Sequence, residues 1–401
     1  MSSDVGDVSD LIGRLDAASR RLAGVFPGEA TRRQPVHTVY GGADLFRPTT
    51  ARRLGDLALA AMESYAPDPE ALASALGLVP AAAERIYGRI VEKLQREPVE
   101  DFRLDFEDGY GQRPDEEEDG HAESAALAVS EGLEADSLPP FVGIRVKPLT
   151  QDLAHRSLRT LERFLLTLVE ATGGRLPANL VVTLPKVKDD EQVAVFTEYL
   201  GRLEARADIP EGSIPIEVMM ETTQSIVDAE GRVNVRRLVA AGDGRVIAAH
   251  FGTYDYTASC NITAAHQHMV HPAADFARHV MQVSLAGTGV WICDGATNVL
   301  PVPLHRGEGL KPAQEEENRE TIHDAWRLHF SHVQHSLING FYQGWDLHPA
   351  QLVSRYAAVF DFFLSGIDAA SERLANFVTA AAQVTMLGEV FDDAATGQGL
   401  L

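Results

Sequence analysis

Two acidic residues follow neighbouring apolar segments in the middle of the chain. Glu221 comes directly after Ile214–Met220, and Asp255 comes shortly after Val246–Phe251. Both segments have the length and composition of buried parallel strands, whose carboxyl ends converge at one mouth of a barrel. Two carboxylates that leave room for water and substrate suit Mg²⁺. The spacing therefore predicts a Mg²⁺ site, with Mn²⁺ as the other candidate ion and helix capping by the two acids as the alternative.

Four further charged residues follow predicted strands and are expected at the same mouth. Arg145 lies near the end of the third apolar run, and we predict that its guanidinium binds a substrate carboxylate in a bidentate manner. An ion pair with Glu107 is the alternative. Glu107 and Asp108 follow the second run and are predicted to bond metal-bound water or Arg145, unless they only begin a helix. Lys186 follows the fourth run, and we expect an electrostatic or structural role rather than a Schiff base.

Eight short apolar runs alternate with helical patterns, and no hairpin signal separates them. They are Pro35–Tyr40, Phe102–Phe106, Phe141–Val146, Leu180–Leu184, Ile214–Met220, Val246–Phe251, Gly289–Cys293 and Gly340–Trp345. This rhythm predicts an α/β fold, a (β/α)8 TIM barrel. A doubly wound open sheet has a similar rhythm, but the count of strands and the polar residues that end them favour the barrel. No Gly-rich dinucleotide fingerprint opens a predicted helix.

The barrel is predicted to span residues 35–349 and to carry three additions. These are an N-terminal lead-in over 1–34, a helical insert at about 66–99 and a C-terminal helical extension over 350–401. Hydrophobic periodicity predicts helices over His121–Gly132, Ala313–Phe330 and residues 369–387. The acidic run Asp115–Asp119 is interpreted as a solvated run or a helix start.

Composition excludes several classes of protein. The formal net charge of the 401 residues is −23, which argues against a nucleic-acid or anionic-membrane surface. Two cysteines give no disulfide framework, and a reducing compartment is the default. The first residues lack the basic and apolar regions of a signal peptide, and no apolar stretch reaches the length of a membrane span. We therefore expect a cytoplasmic protein.

Seven short motifs follow one another in a recognisable order. They are LDFEDGYG (104–111), GIRVK (143–147), TLPKV (183–187), METTQSI (220–226), HFGTYDYTASCNI (250–262), GWDLHPAQL (344–352) and GEVFD (388–392). In type and order they resemble the motifs of the HpcH/HpaI aldolase and citrate lyase β-subunit superfamily of phosphoenolpyruvate/pyruvate barrels. The resemblance covers roughly residues 36–395 and implies the same barrel and a bound Mg²⁺.

The resemblance also implies roles for the matched residues. In the lyases of this superfamily, the aspartate of the last motif acts as an acid in the active site of a neighbouring subunit. Together with the reasoning from strand ends, it assigns metal ligands (Glu221, Asp255), substrate contacts (Arg145, Lys186, Gly252, Thr253) and catalytic residues (Arg145, Glu107, Asp108, Asp392).

The implied activity is carbon–carbon lysis of a 2-oxo or hydroxy acid through a metal-stabilised enolate. Pyruvate, oxaloacetate and glyoxylate are the candidate oxo acids. The alternatives are a Mg²⁺-dependent transferase that uses an acyl group or phosphoenolpyruvate, and a non-catalytic barrel subunit. The segment HTVYGGAD (37–44) stands where the CoA lyases carry Arg-Ser, so use of a CoA thioester stays open. Apolar C-terminal segments such as Val378–Leu387 predict a homo-oligomer.

Overall fold

The computed structural model describes residues 8–379, 385–387, 390–392 and 399, and it describes 385–387 and 390–392 through their backbone only. Contacts divide the chain into two compact units. The first, the barrel unit, comprises the chain up to Leu54 together with 97–298 and 339–347. The second, the helical unit, comprises 55–96, 299–338 and the chain from His348 onward. None of the described helices is long and apolar enough to cross a membrane.

Eight parallel strands form the sheet of the barrel unit. They are β1 (His37–Gly42), β2 (Asp101–Asp105), β3 (Phe141–Arg145), β4 (Leu180–Leu184), β5 (Ile216–Met220), β6 (Val246–Phe251), β7 (Trp291–Cys293) and β8 (Gly344–Asp346). Each strand pairs with its sequence neighbour, and β8 pairs with β1. Between β7 and β8 the circle closes through a parallel bridge from Ala296 to Trp345 and a hydrogen bond from the Asp294 amide to the Gln343 carbonyl. The predicted TIM barrel is confirmed.

Helices connect the strands and make up most of the rest of the chain. They are α1 (Ser9–Val25), α2 (Thr50–Tyr65), α3 (Pro69–Leu76), α4 (Pro80–Arg96), α5 (Asp115–Glu134), α6 (Ala154–Thr172), α7 (Asp190–Arg206), α8 (Thr223–Ile226), α9 (Val235–Ala241), α10 (Thr253–Ser259), α11 (Pro272–Leu285), α12 (Pro312–Ile338), α13 (Gln351–Ser365) and α14 (Ile367–Thr379). In the helical unit, α3, α4, α12 and α13 pack against one another.

Three predicted helices have other bounds in the structure. The helix after β2 begins at Asp115 rather than His121, because its acidic first turn favours a helix N-terminus. The long helix before β8 continues to Ile338 rather than ending at Phe330. The last predicted helix ends at Thr379. Beyond it, β9 (Thr385–Leu387) pairs antiparallel with β10 (Val390–Asp392), so the prediction of helix over 385–387 is wrong.

A charged network fills the interior of the barrel. Arg103 of β2 lies 2.7 Å from the Glu217 carboxylate of β5 and donates to the Thr183 hydroxyl of β4 at 3.0 Å. The Thr183 and Tyr40 hydroxyls donate to the other Glu217 oxygen at 2.7 and 3.2 Å. Because these atoms satisfy one another, the network ties β1, β2, β4 and β5 together beneath the mouth.

A cavity of about 260 Å³ opens at the amino ends of the strands, against this network. Its charged lining residues include Asp101, Arg103 and Glu217, and all three are paired with one another or with neighbouring hydroxyls. In TIM barrels that end serves stability, and chemistry takes place at the carboxyl mouth. We therefore place the candidate site at the opposite end.

Candidate active site at the carboxyl mouth of the barrel

Glu221 is a buried carboxylate fixed from two sides. It follows β5 directly, and the next residue, Thr222, caps α8 through a reciprocal capping box with Ser225. One carboxylate oxygen accepts the backbone N–H of Lys186 at 2.6 Å. On the other side lies Gly252, where a Cβ would stand 2.6 Å from the second carboxylate oxygen. The carboxylate therefore lies so close to residue 252 that the Cβ of any residue other than glycine would displace it.

Asp255 approaches the same place from β6. It lies in the first turn of α10, and its side chain is 42% exposed. One of its oxygens lies 3.7 Å from the ammonium nitrogen of Lys186. Glu221 and Asp255 therefore meet at one residue, Lys186, through its amide and its ammonium respectively.

Lys186 also joins this pair to the end of β2. Its ammonium donates to Glu107 and, at 3.0 Å, to Asp108. Its backbone has a positive φ of 52°, a conformation that costs energy in a residue other than glycine. The strained backbone directs the amide at Glu221, so both ends of the residue bind carboxylates.

Arg145 is held by acidic partners at the end of β3. Its Nε and Nη2 donate to the two oxygens of Asp105 at 2.6 and 2.5 Å, and its Nη1 lies 3.0 Å from Glu107. The guanidinium carbon lies 4.7 Å above the ring of Tyr40. This is the ion-pair arrangement weighed as the alternative to a substrate clamp. A substrate carboxylate would have to share the Nη1 group with Glu107.

These residues form a mouth cluster that carries excess negative charge. Burial and the nearby Asp255 raise the pKa of Glu221 to about 8. Burial also raises the pKa of Glu107, although Arg145 and Lys186 oppose this. The cluster contains five carboxylates and two cations, a formal charge of −3, and its members are Asp105, Glu107, Asp108, Glu221, Asp255, Arg145 and Lys186.

The cluster fits a divalent cation by its charge and its donor atoms. Within the described part of the chain, no group of three or more His, Cys, Asp or Glu residues is arranged to hold a metal ion. Glu221 and Asp255 offer two carboxylates, which is the protein contribution that Mg²⁺ commonly uses, with water and substrate completing its shell. Burial first and the nearby Asp255 second raise the pKa of Glu221, and a cation bound between the two acids would favour the charged form of both.

The remaining predicted residues are distributed as follows. Gly252 borders Glu221, as described above. Thr253 is buried, its hydroxyl donates to the sulfur of Met269 at 3.2 Å, and its role as a substrate contact stays a prediction. Asp392 ends β10, where its backbone pairs with Thr385. Its side chain lies outside the described residues, so its predicted role stays a prediction.

A family profile described as a domain of unknown function, DUF6986, matches residues 15–401. The chain belongs to the DUF6986 family. No curated protein matches the sequence.

A solved structure shares the fold of this DUF6986 chain, and two others resemble it more weakly. A citrate lyase from Burkholderia xenovorans LB400 superposes with a TM-score of 0.60 at 17% identity, covering 93% of this chain and 90% of that one. A Haloferax volcanii malate synthase in complex with magnesium and glyoxylate gives 0.48 at 16% identity, with 82% and 76% covered. CitE from Mycobacterium tuberculosis with magnesium and acetate gives 0.42 at 16% identity, with 81% and 90% covered. At 17% identity, the similarity to the citrate lyase structure is evidence for the fold alone.

Sequence reasoning did not identify two residues that contact Arg145 at the mouth of this DUF6986 barrel. Asp105 is the bidentate partner of Arg145, and the two residues are register neighbours on β2 and β3. Tyr40, beneath Arg145, was taken as an ordinary strand residue. Alternation along β1 and β2 would have pointed both side chains inward.

Proposed function

We propose that this DUF6986 protein is a Mg²⁺-dependent carbon–carbon lyase that acts on a small 2-oxo or hydroxy acid. The observation that carries the proposal is the convergence of Glu221 and Asp255 on Lys186 within a cluster of excess negative charge. The order of the seven motifs, which resembles the HpcH/HpaI and citrate lyase β-subunit superfamily, supports the choice of reaction. The Burkholderia structure that shares the fold is a citrate lyase, which is consistent with this choice.

Each part of the cluster has a role in this proposal. A divalent cation held by Glu221 and Asp255 supplies Lewis-acid stabilisation of the charge that develops on a keto oxygen. Lys186 and the Nη1 group of Arg145 bind the substrate carboxylate as cations. Glu107 contacts both of them, and because burial raises its pKa it is suited to hold and release the proton of the reaction. We include Asp108 and Asp392 as further acid–base candidates.

The substrate is proposed at the level of a class. A 2-oxo acid such as pyruvate, oxaloacetate or glyoxylate offers an anionic carboxylate for the two cations and a keto oxygen for the metal. Gly252 has no side chain that would displace the Glu221 carboxylate from the mouth. A CoA thioester as the second substrate stays open, because the segment after β1 differs from that of the CoA lyases.

The proposal is tested by a ligand screen followed by variants. We expect pyruvate, glyoxylate or oxaloacetate to raise the melting temperature only when Mg²⁺ is present. A ligand at 100 times its Kd adds about 2.7 kcal/mol to the free energy of unfolding. Acetyl-CoA is added in a separate arm, and product analysis then separates lysis from acyl transfer. Glu221→Gln and Asp255→Asn should abolish both the Mg²⁺-dependent shift and turnover.

The matched control is Glu204→Gln. Glu204 is also a buried glutamate of the barrel unit, but it pairs with Arg245 at 2.7 Å and caps the Gly212 and Ile214 amides away from the mouth. This variant should lose stability and keep the ligand response. Full turnover in both mouth variants would make the metal assignment wrong, and a chain that binds neither Mg²⁺ nor any oxo acid would favour a non-catalytic barrel.

A further inference from the structure

The backbone and the side chain of Lys186 bind different carboxylates of the mouth cluster. We propose that Lys186 sets the divalent-cation affinity of the mouth, its ammonium competing with the cation for Asp255 while its amide keeps Glu221 in place. This inference rests on the proposed metal site. It concerns the affinity of the mouth for the divalent cation. It also assigns two opposite effects to the charge of Lys186, which weakens binding of the metal and strengthens binding of the substrate.

The amide contact is independent of the lysine side chain. The N–H of Lys186 donates to Glu221 at 2.6 Å from a backbone with φ of 52°. Pro185 before it and Val187 after it are both buried, so the peptide is held by packing on either side. Substitution of the side chain therefore leaves the orientation of Glu221 largely intact.

The three contacts of the Lys186 ammonium differ in length. The ammonium donates directly to Glu107 and lies 3.0 Å from Asp108, whereas its separation from Asp255 is 3.7 Å. The contact with Asp255 is the weakest of the three, and its loss leaves the other two in place. A cation that binds Asp255 therefore has to displace only this longest contact.

Removal of the ammonium changes the charge balance in a defined direction. The formal charge of the mouth cluster goes from −3 to −4, and the repulsion between a lysine cation and a divalent cation disappears. We expect the Kd for Mn²⁺ to fall by about tenfold. The same change removes a cation that attracts an oxo-acid carboxylate, so glyoxylate should bind more weakly.

The experiment measures Mn²⁺ binding to the full chain without substrate, by the electron paramagnetic resonance signal of free Mn²⁺. The variants are Lys186→Met, which keeps the length of the side chain, and Lys186→Gln, which keeps a donor for Glu107. The matched control is Lys188→Met, because Lys188 is exposed and lies two residues further along. Circular dichroism checks the folding of each variant. Glyoxylate affinity is then measured by calorimetry at saturating Mn²⁺.

The expected result is tighter Mn²⁺ binding with weaker glyoxylate binding in both Lys186 variants, and no change in Lys188→Met. Unchanged or weaker Mn²⁺ binding in both folded variants would overturn the inference, because Lys186 would then organise the site rather than compete for it. A wild-type protein that binds no Mn²⁺ would instead contradict the proposed function itself. The two failures are therefore distinguishable.

Discussion

At the mouth of the barrel, Glu221 and Arg145 are each fixed by more than one neighbour. Glu221 is bounded by the Lys186 amide and by Gly252, and Arg145 by Asp105 and Glu107. Such double support lowers the freedom of the groups that must meet a substrate, which is a condition for catalysis by preorganised charge. Two substitutions test it.

Asp105→Asn removes a charge from the bidentate pair with Arg145. Glu107 is then the remaining acidic contact of the guanidinium among the described residues. Because both partners of the pair are buried, we expect a loss of about 3 kcal/mol in the free energy of unfolding. Urea denaturation measures this loss. Asp56→Asn, at an exposed position of α2, is the control and should change stability by less than about 0.5 kcal/mol. Equal stability of the two variants would show that the Asp105 pair does not hold Arg145.

Gly252→Ala tests the close approach of residue 252 to Glu221. The new Cβ would stand 2.4 Å from the Glu221 Cβ and 2.6 Å from its carboxylate oxygen, so the carboxylate has to move. We expect Mg²⁺ binding, measured by calorimetry, to weaken at least tenfold. Gly120→Ala is the control, because no heavy atom lies within 4 Å of its added Cβ and alanine favours the helix. Unchanged Mg²⁺ affinity in Gly252→Ala would argue against Glu221 as a ligand.

The residues of the mouth could be found from the sequence because acids that follow apolar runs mark strand ends. Their pairing could not be found in the same way. The Asp105–Arg145 pair depends on the register of β2 and β3, and the contact of Lys186 with Glu221 depends on a positive φ at a non-glycine residue. Neither property is visible in residue spacing.

At the scale of elements, α5 and α6 are joined by a buried acidic contact. Arg159 donates to Asp119 at 2.9 Å, and Arg156 donates to the same carboxylate. The acidic run that begins α5 was interpreted as solvated or as a helix start. The structure shows the helix start, and it also buries Glu118 and Asp119 against α6. Helix packing, which the run of charges does not reveal, accounts for the difference.

This contact gives stability a defined dependence on pH. Hydrogen bonds from Arg159 and Arg156 lower the pKa of Asp119 from its ordinary 3.8 to about 2. A carboxyl group with a lowered folded-state pKa stabilises the fold above the unfolded value, and the stabilisation disappears as the pH falls through the folded value.

We therefore expect Asp119→Asn to be less stable than the wild type above about pH 4 and to approach it toward pH 2. Chemical denaturation at a series of pH values measures the difference in unfolding free energy. A difference that stays constant over this range would contradict the assigned pKa.

The strands were predicted to within a few residues, whereas the end of α12 was not. The predicted end at Phe330 is eight residues short of Ile338, and no glycine or proline interrupts the chain between Pro312 and Gly340. The next glycine, Gly340, adopts a positive φ of 79° just beyond the helix. The absence of a breaker was therefore a better guide to the helix end than the weakening of the apolar pattern.

At the scale of the whole molecule, the barrel brings residues from four strand ends, β2 to β5, and from the first turn of α10 to one mouth. Eight apolar runs and the order of seven motifs were sufficient to predict this arrangement, because barrel topology fixes which strand ends are neighbours. They do not specify the substrate, and the role of Asp392, whose side chain lies beyond the described residues, stays a prediction. The homo-oligomer also stays a prediction.

The central claim is that Glu221 and Asp255 together hold a divalent cation. Its most direct test is anomalous diffraction from crystals grown with Mn²⁺, which scatters strongly and prefers the same oxygen ligands as Mg²⁺. The account predicts one strong peak at the mouth, within coordination distance of carboxylate oxygens of both residues. Saturating Mn²⁺ with no peak there, or a peak bound only to other residues, would contradict it.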